Sequence, residues 1–393
     1  MNRRGFFKGA GAVTVAVVGG GVWRACDQGV FSTGQGPAYE PWKNWHDEAN
    51  NGPLALVRAA ILAASPHNTQ PWLFKVSDSA IELHIDTRRN VGALDPFLRE
   101  EHIGMGCALE NLLLAAAASG FTATTTTISG KLAPIPVEPK PQLLARVELA
   151  AGKREESELY RAIPHRHTNR AEYDTSRGIP MDFVDVLRGF AGIAADAKVF
   201  LFTGETERKK IVDASSAANA ELYSDAAVQA GSKAWVRLKW SEVQKYGDGL
   251  TIDAFGLPPI ATAVAKMMTP GMVAWAASRS EKNGYARLML SAPLIGMIAV
   301  RDRYDQEQCL RAGRIWQRLH LLATARGLAG RPCNELVEMV DHERVLGKPA
   351  SRMALLNEIT GDATWQPTFV FYMGYLTLPA HASPRRSVQT VVM

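Results

Sequence analysis

Apolar positions recur at helical spacing from Pro53 onward. Leu54, Val57, Ile61 and Ala64 share one face, and Ser65-Pro66 ends the run. Pro53 suits the first turn of such a helix, where its missing N–H costs nothing. Trp72 to Val76 and Ala80 to Ile85 alternate as two strands around a Ser77-Asp78-Ser79 turn. Residues 103–119 read as a helix of alanines and leucines that stops at Gly120. Val199 to Phe202, Leu294 to Val300 and Phe369 to Tyr372 are apolar runs expected as further strands. The stretch 205–290 is mostly helical by pattern, broken at Tyr246-Gly247-Asp248-Gly249 and at Leu257-Pro258-Pro259. This distribution predicts an α+β protein whose mixed sheets are covered by helices.

The pattern also repeats. Gly106, Leu112, Leu114, Ala116, Ala118 and Gly120 recur as Gly313, Leu319, Leu321, Ala323, Ala325 and Gly327, always 207 residues later. Two glycines bracket the same small-and-leucine face in each copy, so the two helices are expected to pack closely. Chance recurrence of alanine and leucine is the alternative. Pro134, Pro136, Pro139 and Pro141 break the chain between the copies, which places the boundary near 130–160. The organisation expected is a signal segment over 1–30, a linker over 31–50, one half over 51–150 and a second over 151–393. The 205–290 stretch is then a helical insertion within the second half.

The net charge of +5 changes the picture only at the N-terminus. Arg3, Arg4, Lys8 and Arg24 against Asp27 supply three of those charges, and the remaining two do not argue for nucleic acid. Arg3-Arg4-Gly5-Phe6-Phe7-Lys8, followed by an apolar glycine-rich run from Gly9 to Trp23, resembles a twin-arginine export signal. That run is short for a spanning helix, which needs about 20 apolar residues. Such signals are read by the twin-arginine translocation machinery, which carries folded proteins, often with a cofactor bound. The location expected is therefore periplasmic or otherwise extracytoplasmic, with a tether if the leader is retained. Cys26, Cys107, Cys309 and Cys333 have neither disulfide nor zinc spacing.

Two short segments carry the candidate chemistry. Ser65-Pro66-His67-Asn68-Thr69-Gln70-Pro71-Trp72 packs donors and acceptors between a helix end and a strand, with prolines fixing the backbone. It can serve a planar polar ligand, or be a helix stop satisfying its own backbone. Arg166-His167-Thr168-Asn169-Arg170 places two guanidinium groups and a hydroxyl where a helix start would favour a terminal phosphate. A solvated basic turn, or pairing to Glu172 and Asp174, is the alternative. His165 and His167 lack a third local ligand, so no metal is expected.

Together these segments resemble the FMN-dependent nitroreductase family. Arg166, Thr168 and Arg170 match its arginine-x-serine-x-lysine/arginine segment; Asn68, Gln70, Pro71 and Trp72 match its asparagine-x-glutamine-proline-tryptophan segment, preceded by Ser65 and Pro66. Here the order is inverted and each motif occurs once. The position 207 residues after Ser65 falls in Gly271-Met272-Val273-Ala274-Trp275, with no polar motif. The chain thus resembles the Acg-like branch, in which two nitroreductase-like halves are fused into a pseudo-dimer. Gly327 to Asn334 looks like the family's loop after the long helix, where a backbone N–H approaches flavin N5, so Pro332, Cys333 and Asn334 join the expected site. Pro384-Arg385-Arg386 looks like the C-terminal basic pair that reaches the phosphate. Tyr372 stands where the branch usually carries an arginine.

The resemblance implies a periplasmic oxidoreductase with one FMN, its site complete in one chain, acting on an electron-poor small-molecule acceptor such as a nitroaromatic or quinone. No side chain need act as general acid or base, so no catalytic residue is named. The rival reading is a flavin-binding or flavin-storage protein without turnover, in which 205–290 is a lid over the ring.

Overall fold

The computed structural model describes residues 21–46, 52–189, 195–269, 271–273 and 284–393. The twin-arginine stretch lies outside them. Ten strands occur among the described residues: β1 (Trp72–Val76), β2 (Ala80–Asp86), β3 (Phe121–Thr127), β4 (Pro141–Ala151), β5 (Ala197–Phe202), β6 (Val236–Arg237), β7 (Leu250–Thr251), β8 (Leu294–Val300), β9 (Ala329–Pro332) and β10 (Gln366–Gly374). They build one sheet of order β1-β2-β4-β3 and another of order β5-β8-β10-β9. Pairing within both is antiparallel throughout, and the parallel ladder is the two-residue β6-β7 pair. The fold is an α+β arrangement of two four-stranded antiparallel sheets flanked by helices.

The Arg99–Ala118 and Gln306–Ala325 helices cross at the centre. A Cβ on Gly106 would stand 2.0 Å from the Leu310 carbonyl oxygen, and one on Gly313 would stand 1.9 Å from that of Ile103. Gly106 and Gly313 are a 207-residue pair, and so are Ile103 and Leu310, so the crossing is two-fold symmetric. The repeat expected from sequence is here a physical contact: only glycine lets the two backbones touch. Around the crossing the buried Asn111 and Gln317 bond each other (2.8 Å), and Trp316 packs on Phe369 and Phe371.

The first of these helices starts earlier than its apolar pattern. Leu98 sits in the left-handed region (φ 55°), and the Asp95 carboxylate accepts the N–H groups of Arg99, Glu100 and Glu101. Its polar first turn is buried because Arg99 pairs with Asp341 (2.8 Å). β4 also lies within the proline-marked 130–160 connection: after Pro141 the chain pairs with both β2 and β3. The 205–290 stretch does break where its glycines and prolines stand, giving helices Glu205–Leu222, Ala226–Lys233, Trp240–Tyr246 and Pro259–Met267.

Candidate functional site

The Ser65–Gln70 bend follows the Pro53–Ala60 helix and enters β1. His67, Asn68 and Gln70 all have positive φ (45°, 57° and 50°), a conformation that costs non-glycine residues of order 1–3 kcal/mol each. The Ser65 hydroxyl accepts the Gln70 N–H (3.1 Å), and Thr69 Oγ1 donates to buried Glu101 (2.9 Å). This tight bend turns the Asn68 and Gln70 amides toward the C-terminal segment and the 247–249 turn.

Those amides are fully engaged. Asn68 Nδ2 donates to the carbonyls of Gly249 (3.1 Å) and Pro384 (3.0 Å), while its Oδ1 accepts from Arg385. Gln70 Nε2 donates to Gly247 O (2.8 Å), and its Oε1 accepts the Arg386 N–H (2.9 Å). Arg386 Nη1 donates to Gln70 O (3.1 Å). The 205–290 segment is held down at the same place. Asp248 pairs with Arg89 and Arg237, His67 Nε2 meets Ser232 Oγ (2.9 Å), and Trp235 Nε1 donates to Asn90 O (2.8 Å).

The Arg166–Arg170 segment corrects one expectation. A 3-10 turn (Ile163–His165) precedes it, and the chain then runs without helix through Arg170, so the segment does not offer the helix N-terminus expected for a phosphate. The physical reason is Asn169, whose side chain accepts the Ala171 N–H (3.0 Å) and donates to Ala171 O (2.9 Å), stabilising a local turn instead. Nor do the acids anticipated nearby neutralise the arginines: Glu172 pairs with Arg287, and Asp174 accepts from Ser176.

What gathers instead is uncompensated positive charge. Arg166 (2 % exposed) and Arg385 (4 % exposed) both donate to the Leu62 carbonyl, at 3.1 and 3.4 Å. Arg170 donates to Ala254 O (3.2 Å). Burial holds Arg166 and Arg170 down to about 10, Arg331 and Arg166 adding to the effect at Arg170. Burial and the Arg166 charge likewise depress Arg385. His67 is pushed down to about 4 by burial and by the Arg170 charge, and Arg385 links the two segments, bonding Asn68 Oδ1 and sharing the Leu62 carbonyl with Arg166. Among the described residues none of Arg166, Arg170 and Arg385 has a carboxylate partner. Buried polar atoms without any protein partner cluster here too: Nε and Nη1 of Arg166, Nε of Arg385, both ring nitrogens of His320 and Nε1 of Trp316. Buried cations of this kind need an anion, and the donor set fits a phosphate.

Thr168 lies half-buried within the same segment. Arg331 and Pro332 belong to β9, and the Cys333 N–H donates to Val370 O (2.9 Å), while Asn334 Oδ1 accepts the Val370 N–H (2.9 Å). That loop's Cys333 N–H is therefore committed to β10. Sequence reasoning missed Trp42. Its indole donates to Ser383 O (2.7 Å), its ring lies 4.7 Å from the Arg385 guanidinium, and His167 packs edge-on at 4.8 Å. Tyr39, Trp42 and Trp45 in an otherwise polar stretch were the available signal.

No family model matches the chain. Rv3131 of Mycobacterium tuberculosis, named provisionally as an NAD(P)H nitroreductase, is 25% identical over 371 residues, covering 91% of this chain and 95% of that protein. The similarly named acg of the same organism is 39% identical over 69 residues, 18% of this chain and 21% of its own. Among solved structures, the FMN-dependent nitroreductase NfnB of Mycobacterium smegmatis with NADPH is 16% identical, covering 60% of this chain and 97% of its own at a TM-score of 0.39. Over 91% of its length the chain is thus similar to Rv3131, a protein provisionally named as a nitroreductase, and over a shorter stretch to acg.

Proposed function

We propose that the chain is an FMN-dependent oxidoreductase of the nitroreductase type, exported from the cytoplasm, with an electron-poor acceptor such as a nitroaromatic or quinone as substrate. The observation that carries this reading is the set of buried Arg166 and Arg385 with half-buried Arg170, lacking a carboxylate and seated against the Ser65–Gln70 bend. These side chains would hold the cofactor's phosphate, each charge-assisted contact contributing about 1.5–3 kcal/mol. The strained bend keeps the polar groups of residues 65–70 in one fixed geometry. Bound FMN supplies hydride or electron transfer, and the protein contributes binding, orientation and exclusion of water. Both motifs are on one chain and Arg385 touches both, which supports a cofactor site built within a single subunit. The purified protein should release FMN on denaturation in about one-to-one ratio. Release of FAD, or flavin loss in step with dissociation of a dimer on dilution, would overturn this reading.

A second reading has its own support. The Asn68 and Gln70 amides are occupied by the 247–249 turn, so the 205–290 segment sits where a substrate would approach. A flavin held beneath it would be stored and not turned over. Adding dithionite and then a quinone or nitroaromatic acceptor separates the two. Rapid reoxidation by the acceptor supports the enzyme, whereas a reduced flavin reoxidised no faster than by buffer alone supports storage.

A further inference from the structure

The Pro259–Met267 helix is fastened to the protein from one side only. Lys266 is its buried residue; the ammonium donates to Gly29 O (2.9 Å) and pairs with Asp253 (2.7 Å). Thr33 Oγ1 donates to the same carboxylate (2.8 Å), which ties residues 29–33 beneath the helix. Among the described residues nothing covers the opposite face. Ile260 is 82 % exposed and Val264 56 % exposed, one helical turn apart and therefore side by side.

A second helical stretch, 21–27, meets the end of this helix, where Arg24 Nε donates to Met267 O (3.2 Å). Its Val22 and Trp23 are exposed, Trp23 by 69 %. A cleft of about 200 Å³ lies at the junction, with Leu238, Met268 and Val273 in its wall and Arg24 and Lys239 at its rim. Single exposed apolar residues are ordinary, but a run of them over two touching elements marks an interaction surface.

The sequence points to the occupant. The apolar run that begins at Gly9 continues in sequence into Val22 and Trp23, so the exposed residues of the 21–27 helical stretch extend an apolar part of the chain. We propose that Val22, Trp23, Ile260 and Val264 seat the protein on the surface of a lipid bilayer. Tryptophan favours the membrane–water interface, and aliphatic side chains on one helix face insert shallowly beneath it. Among the described residues no helix is long and apolar enough to cross a membrane. Apolar contact drives the association. The two rim cations are offset locally, Lys239 by Glu242 at 3.7 Å and Arg24 by the nearby Asp27 in sequence, so anionic lipid adds little.

The test uses the full chain with phosphatidylcholine vesicles in a flotation gradient. The protein should float, with bound fraction changing less than about twofold between low and high salt. The Ile260→Glu/Val264→Glu double variant, checked by far-UV circular dichroism, should bind at least about tenfold more weakly. A bimane label at Ile260→Cys in a Cys26→Ser background should be quenched by lipids brominated along their acyl chains. The label experiment decides even if the double variant fails to fold. Flotation with the label still exposed to aqueous iodide would mean that the leader alone anchors the chain, and the proposal falls. It falls equally if the protein does not float, or if the label is shielded without vesicles in a species of doubled mass, which would assign the face to a second copy.

Discussion

The helix crossing and the Arg166–Arg385 site proposed to hold the cofactor diverge in how they treat the repeat. At the crossing both copies keep their glycines, because each backbone presses on the other. At the proposed cofactor site one copy holds the strained Ser65–Gln70 bend, while the matching stretch 207 residues later begins Met272-Val273-Ala274 in sequence. Close backbone contact constrains both partners at once, whereas a ligand site needs each motif only once. The two halves therefore stay alike where they touch and differ where they bind.

The sharpest way to break this comparison is to place a methyl group at the crossing. Gly106→Ala or Gly313→Ala should cost at least about 3 kcal/mol in urea unfolding, or prevent folding, because the new carbon would lie about 2 Å from a carbonyl oxygen. Gly271→Ala, with nothing within 4 Å of its Cβ, should leave stability within about 0.5 kcal/mol. Equal effects at the two places would remove the crossing as the reason for the repeat.

The pocket should respond in the opposite sense. Arg166→Ala should weaken FMN binding by about 1.5–3 kcal/mol, read by fluorescence titration, with a smaller loss for riboflavin. The apoprotein should be no less stable, since the change removes a buried cation without a carboxylate partner. A large loss of apoprotein stability would make this arginine part of the fold instead.

The histidine of the bend provides a pH-dependent probe. Burial holds His67 neutral with its folded value at about 4, so from pH 6.5 downward the unfolded chain takes up a proton that the folded chain refuses. Its contribution to stability is present above pH 6.5 and is lost as pH falls toward 4, at up to about 1.4 kcal/mol per pH unit. His67→Asn keeps a residue tolerant of positive φ, and its stability gap from the wild type should shift in the variant's favour over that window. A constant gap would mean that His67 takes up its proton in the folded protein as it does in the unfolded chain.

The smallest effect is expected at the clasp of the 205–290 segment. Arg237→Ala leaves Asp248 its contact with Arg89, so global stability should change by less than about 1 kcal/mol. Flavin exchange should nevertheless quicken, because the 247–249 turn lies on the bend. Unchanged exchange would show that the segment does not gate the pocket.

Periodicity and turn chemistry, which act locally, determined much of this protein: the Pro53 helix, β1 and β2, the breaks in the 205–290 stretch and the pairing of the two glycine-marked helices all follow from them. The Ser65–Gln70 and Arg166–Arg170 segments were also legible, because both draw uncommon residue types into a short span. Tertiary structure decided the rest. The polar first turn of the Arg99 helix is buried only because Asp341 arrives from far along the chain. Arg170 lacks a helix start because Asn169 bonds Ala171. Trp42 reaches Arg385 only when the two chain ends fold over the same pocket. Each of these depends on a partner at long sequence distance or on competition for one backbone group, and local pattern carries neither.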